Sequence, residues 1–167
     1  KKNKNFYLPD FSSDLQYELE VVLHINRLGK YIDKKFASRY YDSIGLGIDF
    51  TARDLQRRCK EKGLPWEIAK SFDGSAVISD FVPVDEFDNI QNLNFVLLKN
   101  GIEVQNGNTS DMIFSFDIIV EYVSRFMTLK TGDLIYTGTS SGVGKVAIGD
   151  NLVGLLEGHE LINMKIK

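Results

Sequence analysis

The stretch Tyr17-Glu18-Leu19-Glu20-Val21-Val22-Leu23-His24-Ile25 places two carboxylates one residue apart in an otherwise apolar run. In a β-strand, alternate residues point to opposite faces. One face is then apolar and consists of Tyr17, Leu19, Val21, Leu23 and Ile25. Glu18 and Glu20 share the opposite face, where like charges repel unless a cation lies between them. A hard divalent metal, which prefers oxygen ligands, is the natural candidate.

A third carboxylate follows a second apolar run. The residues Gly45 to Phe50 are predicted to form a buried strand that carries Asp49 near its end. If this strand neighbours the first, Glu18, Glu20 and Asp49 supply three oxygens of an octahedron and leave positions for water or substrate, as is usual for Mg²⁺ or Mn²⁺. The alternative is that both glutamates face solvent on a half-exposed antiparallel strand. Asp49 argues against this alternative, because burying an unpartnered carboxylate costs free energy.

Cationic and amide side chains follow these carboxylates along the chain. The segment from Thr51 to Asp54 is typical of a capping box that opens a helix running to about Lys62. Arg53 and Gln56 are one turn apart on this helix and could bind a substrate carboxylate or an oxyanion. Lys70 could offset the charge of an anionic substrate. The alternative is a solvated helix face and an exposed lysine.

Composition excludes several classes of protein. The chain has 167 residues, 43% hydrophobic residues and a formal net charge of −3, which indicates one globular domain over residues 1–167 and argues against a nucleic-acid partner. Two histidines and one cysteine are too few for a Cys/His zinc site. No apolar run approaches the ~20 residues of a membrane span. The single cysteine, Cys59, fits a reducing compartment, and we predict the cytoplasm.

The remaining elements are predicted from periodicity and turn residues. Two helices are expected at residues 33–42 and 115–127, the second with Phe116, Ile119, Val120, Val123 and Phe126 inward. Asn100-Gly101 predicts a hairpin between extended runs at 94–99 and 102–105. Three Gly-punctuated strands are expected at 134–137, 152–156 and 161–166. Thr137 to Lys145 lacks the spacing of a phosphate-binding loop and is interpreted as a corner whose hydroxyls and amides line a pocket.

Several ordered motifs resemble the fumarylacetoacetate hydrolase family, and together they cover nearly the whole chain. The motifs are Tyr17-Glu18-Leu19-Glu20, Asp49-Phe50-Thr51-Ala52-Arg53-Asp54-Leu55-Gln56, Lys70-Ser71-Phe72-Asp73, Asn100-Gly101 with Gln105, Thr109 and Met112, Gly132-Asp133-Leu134-Ile135-Tyr136-Thr137-Gly138-Thr139, and Gly142-Val143-Gly144. The resemblance implies an α+β, β-rich fold, a mixed β-roll with short peripheral helices around a divalent-metal site, commonly in a homodimer.

By the same resemblance, Glu18, Glu20 and Asp49 are metal ligands. Lys70, Arg53 and Gln56 are the implied catalytic residues. The implied substrate contacts are Thr139, Arg53 and Lys70.

Two features depart from the family pattern. Family members usually begin with a further segment whose lid carries a His/Glu pair that positions the attacking water, and this chain is expected to lack that lid, since neither His24 nor His159 is in the matching place. Ser140 stands where the family usually has proline, and we expect it to loosen the corner that follows Thr139.

The function implied by the resemblance is divalent-metal-dependent cleavage of a carbon–carbon bond in short 2-oxo acids, by acylpyruvate hydrolysis or oxaloacetate decarboxylation. An enol–keto isomerase of the same family is one alternative, because all three reactions can use one site. A non-catalytic, metal-stabilised dimerisation module is another. Hydrolysis needs a base to activate water, so the missing lid predicts that hydrolysis is weak in this chain and that decarboxylation persists.

Overall fold

The computed structural model describes residues 5–167 and is rich in strands. The strands are β1 (Leu15–Tyr17), β2 (Leu19–Ile25), β3 (Tyr41–Asp49), β4 (Thr51–Ala52), β5 (Ala76–Ile78), β6 (Val82–Pro83), β7 (Asn94–Lys99), β8 (Ile102–Asn108), β9 (Leu134–Thr139), β10 (Gly144–Lys145), β11 (Asn151–Leu156) and β12 (His159–Lys165). The α-helices are α1 (Arg53–Lys62), α2 (Glu67–Lys70) and α3 (Phe116–Phe126). Short 3₁₀ turns occupy Lys34–Arg39, Val84–Glu86 and Thr109–Asp111. The prediction of a β-rich α+β fold with short helices is confirmed.

Three antiparallel sheets make up the fold. The central sheet runs β5-β3-β2-β9, and β6 pairs with β3 beside β5. A second sheet runs β12-β11-β7-β8, and a small third sheet runs β10-β1-β4. Alternation puts one face of β2 into the core, yet Val22 on its other face is also buried. The strand is therefore covered on both sides, which places Glu18 and Glu20 inside the protein.

The first strand is interrupted where the sequence predicts continuity. Glu18 separates β1 from β2, because β1 pairs with β4 and β10 whereas β2 pairs with β3 and β9. The chain changes sheets at this residue. Tertiary pairing of the short β1 segment, which no periodicity reveals, causes the break.

Two other local predictions are wrong. The helix predicted at 33–42 is a 3₁₀ turn that ends at Arg39, because Tyr41 already pairs with Ile25 in the central sheet. The predicted capping box is absent: Thr51 lies in β4, and α1 begins after Ala52 with no side-chain cap. Asp54 accepts hydrogen bonds instead from Ser12 Oγ and Ser13 N, at 2.7 and 2.9 Å.

Helix α3 lies where it is predicted, and its inward face agrees with the prediction except at Phe126. Phe116 and Val120 are buried, and Ile119 and Val123 are partly buried against the core. Its buried stripe follows Phe116, Val120 and Ser124, and the Ser124 hydroxyl accepts from Ile32 N. Phe126, expected inward, is 68% exposed because it lies two positions beyond this stripe. Helix α3 packs against the 3₁₀ turn at Lys34–Arg39.

The hairpin prediction is confirmed. Asn100 and Gly101 have φ of 54° and 80°, which a type I′ turn requires, and they join β7 to β8. Helix α1 ends at Lys62, as predicted, and Gly63 caps it with φ of 63°. No helix among residues 5–167 is long and apolar enough to cross a membrane.

A glycine in β3 allows the central sheet to close over the Tyr136 ring. A Cβ at Gly47 would lie 2.3 Å from Tyr136 Cε1, and the ring is held because its hydroxyl donates to Val77 O at 2.7 Å. We expect Gly47→Ala to lower the free energy of unfolding by about 1–3 kcal/mol through overpacking. Urea denaturation measures the change.

The matched control is the double variant Gly47→Ala with Tyr136→Leu, in which the clashing ring atoms are gone. Strong non-additivity between the two substitutions is the expected result. Strictly additive losses would contradict the clash as the cause.

Candidate active site

Sheet register brings the three acidic residues together. Asp49 is the last residue of β3, and its amide donates to the Glu18 carbonyl at 2.9 Å. Glu20 lies two residues further along, opposite Gly47 in the β2–β3 pair. Carboxylate oxygens of Glu18, Glu20 and Asp49 all lie within 4.8 Å of one another. The predicted grouping of the three carboxylates therefore exists, and the alternative that both glutamates face solvent is wrong, since Glu18 and Glu20 are 9% and 5% exposed.

Two cations hold Glu18. Arg53 Nη2 lies 2.5 Å from Glu18 Oε1, and Lys70 Nζ lies 2.7 Å from Glu18 Oε2. Burial raises the pKa of the Glu18 carboxyl, but the hydrogen bonds from Lys70 and Arg53 outweigh burial and the net pKa is lowered. Glu18 is therefore ionised at neutral pH.

Lys70 reaches the cluster from the end of α2. Its ammonium donates to Asp49 Oδ2 at 2.6 Å and to Thr51 Oγ1 at 2.7 Å, in addition to Glu18. Burial lowers the pKa of Lys70, yet its bonds to Asp49 and Glu18 raise it further, so the net pKa lies above the ordinary value. The lysine is thus a fixed positive charge, and the alternative of a merely exposed lysine is wrong.

Arg53 is fixed along its whole guanidinium group. Its Nε donates to Gln16 Oε1 at 3.0 Å, and its Nη1 donates to Gln56 Oε1 at 2.9 Å. Gln56 is buried at 5% exposure. The predicted face of Arg53 and Gln56 therefore points to the carboxylates and not to solvent, whereas Arg57 on the next position is exposed and pairs with Asp14.

Glu20 is the member of the cluster that no cationic side chain of residues 5–167 contacts. Its Oε2 accepts from Gly138 N at 2.7 Å. Burial raises the pKa of Glu20, the Gly138 bond opposes the rise, and the charges of Asp49 and Glu18 add to it, which brings the pKa to about 7. The pKa of Asp49 is also raised by burial, against the lowering effect of Lys70. Ionising the whole cluster therefore requires more positive charge than Lys70 and Arg53 provide.

The residues fit a divalent metal. The donors are all carboxylate oxygens, which hard cations prefer, and oxygens at 2.1–2.6 Å from one cation lie at most about 5 Å apart, in agreement with the 4.8 Å limit observed. Glu20, buried and with only a backbone donor, is the group that such a cation would satisfy. Ligation by these residues stays a prediction.

Thr139 lies beside Glu20 but points into the protein. The two residues are paired between β2 and β9, and the Thr139 hydroxyl donates to Leu19 O at 2.7 Å. Its predicted contact with a substrate carboxylate stays a prediction. The hydroxyl would have to donate to that carboxylate in place of Leu19 O, because an ionised carboxylate only accepts hydrogen bonds.

A cavity of about 490 Å³ borders the Gly138–Ser141 segment, a size typical of small-molecule sites. Asn106, Asn108 and Met112 lie on its other walls. The prediction that this corner lines a pocket is confirmed. Gly138 and Thr139 line the cavity and also bond to β2, whereas Glu18, Glu20 and Asp49 are not among the residues that line it.

The two histidines and the cysteine lie outside the carboxylate cluster. His24 Nδ1 is 3.1 Å from Asp42 Oδ1 at the far end of β2. His159 is exposed at the start of β12. Cys59 is buried at 2% exposure on α1.

Sequence reasoning missed three contributors to the cluster. Gln16 holds Arg53, Thr51 holds Lys70, and the Gly138 amide holds Glu20. Thr51 and Gly138 lie inside two of the family-like motifs, so the sequence contains a signal that they belong to the site. Gln16 had none, because its role depends on the position of β1 against β4.

Comparisons with known proteins identify relatives of this chain. The family model for the C-terminal part of fumarylacetoacetate (FAA) hydrolase matches residues 1–166. A bovine (Bos taurus) protein named "Oxaloacetate tautomerase FAHD1, mitochondrial" is 41% identical over 160 residues, which are 96% of this chain and 72% of that protein. A Dictyostelium discoideum protein named "Oxaloacetate decarboxylase, mitochondrial" is 41% identical over 142 residues, 85% of this chain and 65% of that protein.

A solved structure has the same fold. The fumarylpyruvate hydrolase of Pseudomonas aeruginosa, in complex with Mn²⁺ and pyruvate, is 34% identical with a TM-score of 0.93, over 98% of this chain and 70% of that one. This chain belongs to the fumarylacetoacetate hydrolase family.

The raised pKa of Glu20 predicts a pH-dependent cost in the metal-free protein. Because the folded pKa of about 7 exceeds the ordinary 4.5, the folded state binds more protons than the unfolded state between these values. Stability is then lost as pH rises through 7. We expect Glu20→Gln to raise the free energy of unfolding at pH 8 by up to about 3 kcal/mol and to change it little at pH 5.

Urea denaturation in the presence of a chelator, at pH 5 and pH 8, measures this difference. Glu61→Gln, which neutralises an exposed glutamate on α1, is the control. An equal effect of Glu20→Gln at both pH values would contradict the assignment of the pKa to Glu20.

Proposed function

We propose that this chain is an enzyme that acts on short 2-oxo acids of the oxaloacetate type with the help of a divalent cation, Mg²⁺ or Mn²⁺. The observation that supports the proposal most strongly is the buried trio of Glu18, Glu20 and Asp49 beside a cavity of substrate size. The relatives are named for oxaloacetate tautomerisation and decarboxylation, and the solved relative contains Mn²⁺ and pyruvate.

The cation would be held by the three carboxylates. When bound, it would supply Lewis-acid polarisation of the 2-oxo group of the substrate. Glu18 is kept ionised for this role by Arg53 and Lys70, so it is ready to bind a cation before one arrives.

Lys70 and Arg53 give the site its positive wall. Lys70 stays protonated, so we propose that it stabilises negative charge on the reacting substrate and does not act as a general base. Arg53, with its guanidinium held by Gln16 and Gln56, is pre-organised to receive a carboxylate at the edge of the cluster. Thr139 completes the proposed substrate contacts from the cavity side.

Two reactions can use this arrangement without a further group, enol–keto tautomerisation and decarboxylation. In enol–keto tautomerisation a proton moves between carbon 3 and the 2-oxo oxygen. In decarboxylation the bond between carbon 3 and the carboxylate breaks, its electron pair passes towards the 2-oxo group, and carbon dioxide leaves. Both reactions develop negative charge at the same oxygen, next to which the positive wall lies. We place tautomerisation first and decarboxylation second, because relatives of both names match most of this chain.

Acylpyruvate hydrolysis needs one more group, a base that activates water. Neither histidine of residues 5–167 lies at the cluster, since His24 pairs with Asp42 and His159 is on β12. We therefore propose that the 167-residue chain, assayed as such, hydrolyses acylpyruvates poorly.

The second candidate is a non-catalytic module stabilised by a metal. A structural metal site needs only the three carboxylates and their supporting bonds. Gln56, which is buried and accepts a hydrogen bond from Arg53, favours the enzyme, because ligation of a metal does not require it.

We propose that the chain forms a homodimer. Large apolar side chains are exposed around the end of α3, where Tyr122, Phe126 and Met127 are 59%, 68% and 66% exposed and the first two rings are in contact at 5.3 Å. An adjacent exposed group of this kind is typical of an interface. For the compartment we propose the reducing cytoplasm, which the single, buried Cys59 fits.

The metal assignment predicts that Asp49→Asn and Glu20→Ala each weaken Mn²⁺ binding at least tenfold, because each removes one of three anionic donors. Calorimetry on chelator-stripped protein measures the affinity, and Glu61→Gln is the control. Loss of the ultraviolet absorbance of enol-oxaloacetate and release of carbon dioxide measure the two reactions, with Mg²⁺ or with chelator. Activity that chelator leaves unchanged would contradict the role of the metal, and unchanged affinity in both variants would contradict the ligands.

The dimer proposal predicts a mass near twice the 18.9 kDa of the chain in light scattering after gel filtration. Phe126→Glu should return the mass to that of one chain, because a charge in an apolar interface is costly. Glu103→Lys, an exposed change on β8, is the control. A single-chain mass for the unmodified protein would refute the dimer.

A further inference from the structure

Gln105 is one of the most deeply buried polar side chains of the described residues, and none of the roles above uses it. It is 1% exposed and lies on β8, in the second sheet. Its amide group leaves that sheet and reaches the backbone of β2. A buried amide with this reach across sheets costs free energy unless all of its hydrogen bonds are made.

The side-chain hydrogen bonds of Gln105 run to Leu19, the residue between the two glutamates, and to the corner after β9. Its Oε1 accepts from Leu19 N at 2.9 Å. Its Nε2 donates to Thr139 Oγ1 at 2.9 Å and to Ser140 O at 3.1 Å. The Thr139 hydroxyl in turn donates to Leu19 O. A closed ring of hydrogen bonds thus ties the Leu19 residue to the corner after β9.

Leu19 is the residue between Glu18 and Glu20. Its backbone sets the position of both glutamates, because each is joined to it by one peptide bond. Strand β9 pairs with β2 at Glu20–Thr139, and Gln105 satisfies the amide of Leu19 beyond this last pair. The side chain of Gln105 therefore takes the place of a strand partner at the point where the chain changes sheets.

An irregularity in β8 aims Gln105 at this place. The register of β7 and β8 shifts between Leu97, opposite Gln105, and Leu98, opposite Glu103, so that Val104 is the extra residue of a β-bulge. The corner also packs closely on this bulge, since a Cβ at Gly142 would lie 2.1 Å from Val104 O. The bulge thus holds both the amide and the corner that it binds.

We infer that Gln105 is a positioning residue, which fixes the spacing of Glu18 and Glu20 and the approach of the Gly138 amide to Glu20, and so sets the affinity of the site for a divalent cation. This inference rests on the proposed function, in which these glutamates bind the metal. Groups that orient metal ligands through hydrogen bonds typically contribute 10–100-fold to metal affinity.

The test compares Gln105→Met with Thr109→Val. Methionine is similar in size to glutamine but makes none of the three bonds. Thr109 is 2% exposed, and its hydroxyl also joins two backbone groups, Leu93 N and Ile90 O, which are remote in sequence from the cluster. Both substitutions should lower the melting temperature, whereas only Gln105→Met should weaken Mn²⁺ binding, by tenfold or more in calorimetry on stripped protein.

A second variant keeps the test informative if Gln105→Met fails to fold. Thr139→Val removes the hydroxyl that Gln105 holds, and Thr139→Ser retains it. Weaker Mn²⁺ binding in the valine variant, with recovery in the serine variant, supports the ring of hydrogen bonds. The readout is binding of the metal alone, so the proposed contact of Thr139 with substrate does not enter.

The outcomes separate this inference from the proposed function. Mn²⁺ binding that Asp49→Asn abolishes and that both Gln105→Met and Thr139→Val leave at the level of the unmodified protein would overturn the positioning role and leave the metal site intact. Failure of the unmodified protein to bind Mn²⁺ would overturn the proposed function, and the inference with it.

Discussion

The compensation of charge among three buried carboxylates is the constraint on which the rest of the site depends. Glu18, Glu20 and Asp49 lie within a few ångströms of one another, where unscreened repulsion is strong. Lys70 contacts two of them and Arg53 contacts one. The positions of α1 and α2 follow from this requirement, because each helix delivers one of the two cations to the ends of β2 and β3.

The compensation is incomplete at Glu20, and this has opposite consequences for stability and function. A carboxyl group with a pKa near 7 makes the metal-free fold less stable when it ionises. The same shortage of positive charge would favour the binding of a divalent cation. Sites that bind or react are commonly less stable than the sequence could make them, and here the pKa values of both Glu20 and Asp49 are raised.

Rigid strands, not flexible loops, carry most of the groups that matter. The chain changes sheets at Glu18, and the bulge at Val104 turns Gln105 out of its own sheet towards Leu19. Such irregularities re-aim side chains at functional sites. Residues from three separate sheets and two helices therefore meet at one cluster. Each of them lies in a strand or helix, or within one or two residues of its end.

The sequence by itself determined the class of fold, the carboxylate trio and its cationic partners, the hairpin at Asn100-Gly101 and the end of α1 at Gly63, because alternation, turn chemistry and ordered motifs are local signals. Only the tertiary structure decided where β1 breaks from β2, that residues 33–42 do not form an α-helix, that Phe126 faces outward and that Gln16 and Gln105 support the site. Each of these depends on a partner distant in sequence, such as Ile25 for Tyr41 or Leu19 for Gln105. Periodicity shows which face of a segment is buried, but the identity of the partner on that face is set by the packing of the whole chain.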